Sequence, residues 1–152
     1  MKQLIKDEKA ASIAVEYILT FAISMSLLIA LILSSQNLIE MTSDIVMRES
    51  FEIIGNDIAL KISNMDILIE ATFGSGDVDD LNSEFTIPGQ IAGRAYSVNI
   101  SQDRIIIQSF AGSAEARIPL NVTTGIESGI ATSSQEQLFI LYNSSANKIE
   151  VI

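Results

Sequence analysis

The chain has 152 residues, 48% of them apolar and 18% charged, and its 9 basic and 19 acidic side chains leave a net charge of −10. That balance excludes the basic surface that neutralises nucleic-acid phosphates, so no nucleic-acid partner is expected; the acidity instead keeps an exposed domain soluble. The absence of Cys and His rules out disulfides, removes the usual zinc, haem and iron–sulfur ligands and removes His-assisted nucleophiles. No metal, no cofactor and no catalysis are therefore expected.

In chain order, residues 1–11 form a short charged head with Lys2, Lys6 and Lys9. Lys and Arg near a membrane segment set its orientation, and the region from Gln36 to Met47 has neither. The head is expected to be a cytoplasmic leader, with the remainder outside the cell. Residues 13–33 are apolar apart from a few hydroxyls and Glu16. At 1.5 Å per residue they reach about 32 Å, close to a hydrocarbon core of about 30 Å. Residues 12–35 are thus read as a hydrophobic transmembrane or assembly helix. Ala14, Ala22, Ser24, Ser26 and Ala30 offer a close-approach face on it, although no Gly-x-x-x-Gly is present.

Residues 36–73 continue as an amphipathic helical stem. Met47, Phe51, Ile54, Ile58, Ile62, Met65 and Ile69 recur every three or four positions, which marks one helix face. Glu49, Asn56, Asp57, Ser63, Asn64 and Asp66 are expected on the other side. Gly55 reads as a weak point, costing about 1 kcal/mol relative to Ala. Residues 74–83, GSGDVDDLNS, form a linker. Over 84–152 the period changes to two, giving about six short strands separated by turns at 102–103, 111–113, 125–129 and 143–147. The expected fold class is α+β, a long N-terminal helix packed against a small antiparallel β-sheet or open sandwich. A β-domain of this size lacks a self-sufficient core, so the Met47–Ile69 stripe is expected to complete it.

Lys9, the small-residue step Ala10-Ala11-Ser12, and an apolar helix with Glu16 near its start together resemble the archaeal type IV pilin-like proteins with a class III signal peptide. The likeness in motif covers residues 9–33, and the likeness in plan covers the whole chain. It implies that a prepilin peptidase cuts on the cytoplasmic side and that the apolar helix is kept. Lys9 corresponds to the family's basic residue before the cut, and Ala10 or Ala11 to its small residue. A cut between Ala11 and Ser12 makes Glu16 the fifth residue of the processed chain; a cut after Ala10 makes it the sixth. Intramembrane carboxylates usually find a partner, and the new α-amino group of a neighbouring copy would supply one. The implied function is a structural subunit of a cell-surface filament, with its own copies, other pilin-like subunits and the membrane as partners, and with a surface-layer contact for the β-domain. The alternative is a non-polymerising, single-pass anchored β-domain contacting the cell envelope, a plan similar to archaellum-associated accessory proteins. A removed secretory signal is disfavoured, because Leu31-Ile32-Leu33-Ser34 is a poor cleavage site.

Asn99-Ile-Ser101, Asn121-Val-Thr123 and Asn143-Ser-Ser145 are N-glycosylation sequons on the expected outer side. Asp77, Asp79, Asp80, Asn82 and Glu84 superficially suggest a calcium loop, but Leu81 and Asn82 stand where the EF-hand needs an oxygen ligand and Gly; a solvated linker is the better reading. No hydrolase signature surrounds Lys61 or Lys148.

Overall fold

The structure is a computed structural model that describes residues 2–72 and 81–152, with side chains from Ser12 onward. Helix α1 spans Lys2–Thr72. The chain divides into two compact units, residues 1–42 and 43–152. In the first unit, the helix is apolar and every residue from Ser12 to Thr42 is exposed. The second unit holds the remainder of α1 and eight strands: β1 (Asn82–Thr86), β2 (Tyr96–Ile100), β3 (Arg104–Ser109), β4 (Glu115–Pro119), β5 (Gly125–Glu127), β6 (Gly129–Thr132), β7 (Gln137–Asn143) and β8 (Lys148–Val151).

The strands form two four-stranded sheets, ordered β1-β7-β8-β5 and β4-β3-β2-β6. All pairs are antiparallel except β5 with β8, which is parallel. Strict alternation sets the inner faces. In β7, Leu138, Ile140 and Tyr142 are buried, and in β3, Ile105 and Ile107 are buried. The α1 stripe lies in the same core. Met47, Phe51, Ile54, Ile58, Ile62, Met65 and Ile69 are all buried and cluster with the strand residues. All seven apolar residues that the amphipathic period picks out are thus on the buried helix face, and the fold class is α+β as expected.

Three boundaries or placements differ from the sequence reading. Asn82 and Ser83 belong to β1, paired with Leu141 and Ile140, not to a linker. Leu81 precedes β1 and its carbonyl accepts the Tyr142 N–H at 2.9 Å, while residues 74–80 of the expected linker and residue 73 of the stem lie outside the described residues. The segment 125–129 is not a turn but holds β5 and the start of β6; two Gly residues and a Glu hide the strand pattern, and in β5 only Ile126 is buried. Asp66, expected on the polar side of α1, is only 7% exposed.

Gly55 is a close-approach residue as well as a weak helix former. A Cβ built on it would lie 2.3 Å from Cδ1 and 2.8 Å from Cγ1 of Ile118 on β4. The missing side chain lets the helix backbone seat against that sheet. Gly55→Ala gains about 1 kcal/mol of helix propensity but overpacks a filled site, which costs about 1–3 kcal/mol. The net expectation is a loss of stability, checked by urea unfolding of the full-length protein in detergent.

Candidate functional site: the exposed apolar segment and the helix clamps

The first unit has no core of its own among the described residues. From Ile13 to Leu33 its large aliphatic and aromatic side chains are about half exposed or more, and this helix is long and apolar enough to cross a membrane. Ser12, Glu16, Thr20 and Ser24 follow one another at four-residue steps and form one polar line along it. Most of the hydroxyls satisfy themselves: Thr20 Oγ1 donates to the Glu16 carbonyl at 2.9 Å, Ser24 Oγ to that of Thr20 at 2.8 Å, and Ser26 Oγ to that of Ala22 at 2.8 Å. Such back-bonding hides a hydroxyl in apolar surroundings without a second helix. The Glu16 carboxylate has no such device and no partner among the described residues. Ser12 and Glu16 are exposed; the side chains of Lys9, Ala10 and Ala11 lie outside the described residues.

Within the second unit, two carboxylates of α1 fasten the strand connections to the helix. Asp44 accepts hydrogen bonds from Arg94 Nη1 at 2.7 Å and from Ser113 Oγ at 2.9 Å. The Ser113 hydroxyl, with its N–H and the Arg94 guanidinium, holds the Asp44 carboxyl below its ordinary value. Gly112, at φ +98°, lets Arg94 through, since a Cβ there would lie 2.2 Å from Nη1. Asp66 accepts the backbone N–H of Thr123 at 3.0 Å and of Thr124 at 2.8 Å. Burial pushes its carboxyl up, but the bonds from Thr124 and Thr123 outweigh burial and hold it below the ordinary value. Ser113 precedes β4 and Thr123 follows it, so the two clamps grip both ends of that strand. Neither was visible in the sequence, because each joins residues fifty or more positions apart.

The three sequons lie apart. Asn99 is exposed on β2, between Ile106 of β3 and Ile130 of β6. Asn121 is exposed beyond the end of β4. Asn143 is half-buried: its Nδ2 donates to Glu150 Oε1 at 2.7 Å and its Oδ1 accepts the Ala146 N–H at 3.1 Å. Of the acidic run, Asp77, Asp79 and Asp80 lie outside the described residues, while Asn82 and Glu84 sit on β1. Among the described residues no three His, Cys, Asp or Glu side chains converge on a metal position. Lys61 donates to the Glu84 carbonyl at 2.7 Å and lies over the Phe85 ring, so it tacks β1 to the helix. Tyr96 is fully buried; its hydroxyl donates to the Pro88 carbonyl at 2.7 Å, and burial pushes its pKa up to about 12.

Compared with known proteins, residues 6–152 match a family model described as a family of unknown function (DUF7266). No curated protein and no solved structure matches the chain.

Proposed function

This chain belongs to the DUF7266 family, and for it we propose the role of a membrane-anchored, pilin-like structural subunit. A prepilin peptidase cuts near Ala10-Ala11-Ser12, the apolar segment stays, and copies assemble through it into a cell-surface filament that displays the β-domain outside. The observation that carries the reading is the single carboxylate, Glu16, on an apolar helix segment of which nothing is buried in its own chain. A carboxylate in hydrocarbon is costly and calls for a partner. The α-amino group freed by cleavage on a neighbouring copy is cationic, lies at the same membrane depth, and would neutralise it. Membrane, peptidase and sister copies are the partners of this reading, which involves no reaction by the protein itself.

Two measurements on protein from its own cell test it. The intact mass is expected to lack residues 1–10 or 1–11. The Glu16→Gln variant is expected to insert in the membrane at the wild-type level yet yield few sedimentable fibres. Normal fibre yield from Glu16→Gln defeats the pairing; membrane retention of wild type with no fibres at all points to the non-polymerising anchored β-domain.

A further inference from the structure

The outer face of the second sheet carries a residue that its backbone setting does not explain. Asn99 lies on β2, an interior strand flanked by β3 and β6. Its neighbours Val98 and Ile100 point into the core, so alternation turns Asn99 outward, where it is exposed. Asn is depleted in strands, because its short amide favours bonds to local backbone in turns and caps. Here the side chain makes no hydrogen bond among the described residues. Its cross-strand partners are Ile106 of β3 and Ile130 of β6, and such partners share a face. Ile106 is half-buried, and Ile130 is 72% exposed on an edge strand, where a bare aliphatic side chain invites association with other chains. The other two sequon asparagines need no further cause. Asn143 bonds to Glu150 and Ala146 in a turn, and Asn121 lies outside the strands, where Asn is at home.

We propose that Asn99 is a glycosylation site, modified before β2 pairs, and that its glycan shields Ile106 and Ile130. The inference rests on the outward placement of the β-domain in the reading above, and not on assembly. Asn99-Ile100-Ser101 supplies the acceptor pattern, and a lipid-linked oligosaccharide is the donor. The Asn99 Nδ2–C1 bond forms, the bond from sugar C1 to the phosphate oxygen breaks, the lipid phosphate leaves, and the amide gives up one proton to a base of the transferase. Folded β2 is hydrogen-bonded on both sides, so the transferase meets the sequon before the sheet forms. Once attached, the first pyranose ring lays its C–H face beside the two isoleucines. That removes apolar surface from water and sets a bulky, solubilising group beside the β6 edge.

Arg94 and Arg104 bracket the sequon, so trypsin releases residues 95–104 with Asn99 as their sole sequon. In protein from its own cell this peptide is expected to carry a sugar mass, which Asn99→Gln and Ser101→Ala each remove. Asn99→Gln is expected to raise the aggregated fraction on size exclusion severalfold, and Ile130→Ser in the same chain to return it to the wild-type level. Placement is read separately: the natural chain has no cysteine and Gln108 is exposed, so Gln108→Cys on intact cells is expected to react with a membrane-impermeant maleimide. An unmodified 95–104 peptide with Gln108→Cys labelled, whether or not Asn121 or Asn143 carries sugar, overturns the Asn99 site and leaves the outward placement standing. An unmodified peptide with Gln108→Cys labelled only after lysis overturns both. Sugar on Asn99 without any effect of Asn99→Gln on aggregation overturns the shielding.

Discussion

Phe51→Ala is expected to remove about 3–5 kcal/mol of unfolding free energy, the usual cost of emptying a buried phenylalanine site. Phe51 is fully buried, and its ring meets that of Tyr96 at 5.2 Å between centroids with the planes tilted by 50°. It joins the helix to β2 at the centre of the second unit. Neither ring can relax far into the space left, because interiors are close-packed and neighbouring side chains such as Met47 and Ile107 are themselves fully enclosed. Against a typical domain stability of about 5–15 kcal/mol, the variant sits near the unfolding threshold at growth temperature. Ile53→Ala, two residues away on the exposed side, is the internal comparison and is expected to change monomer stability little. Urea unfolding of both full-length proteins in detergent, followed by far-ultraviolet circular dichroism, checks the contrast. Similar midpoints for the two variants would contradict the placement of the core. Because residues 12–42 make no use of Phe51, membrane retention is expected to survive in both.

The second large effect belongs to Asp66. Asp66→Ala deprives the buried Thr124 N–H and the part-buried Thr123 N–H of their acceptor, a change worth about 1–3 kcal/mol, chiefly from the buried donor left unsatisfied. The effect depends on pH with a definite sign. The folded-state carboxyl is held below its ordinary value, so the folded state binds fewer protons than the unfolded one in acid. Its contribution is complete above the unfolded value of about 3.9 and is lost as pH falls through the lower folded value. Wild type and Asp66→Ala are therefore expected to differ most near neutrality and to converge in stronger acid. Asp44 is shifted in the same direction, so the variant keeps part of the acid sensitivity. An equal gap at pH 7 and in strong acid would show that the ionised clamp is not what stabilises the end of β4.

The helix face and the core were legible because they repeat. The Met47–Ile69 stripe follows the helical period without a break, and Ile105, Ile107, Leu138, Ile140 and Tyr142 alternate cleanly. What escaped was either non-repeating or long-range. β5 and β6 contain Gly125, Gly129 and an exposed Ile130, and local pattern assigns such residues to a turn; they become strands only because β8 and β2 supply ladders from elsewhere in the chain. Asp66 looks like any surface carboxylate until Thr123 and Thr124 are placed beside it. Gly55 reads as a flaw until Ile118 is seen above it. Of the candidate site, Glu16 and its apolar surroundings were fully visible, since both are properties of contiguous residues, whereas the unequal settings of Asn99, Asn121 and Asn143 depended on their neighbours in space.

The order of strands in the first sheet has a bearing on the order of folding. β8 is an interior strand, flanked by β7 and β5, and β5 lies about twenty residues ahead of it in the chain. Because β8 is the ladder partner of β5, β5 has no backbone to pair with until Lys148–Val151 have been made. This half of the β-domain therefore closes late, around a keystone strand that the chain supplies after the strands on either side of it.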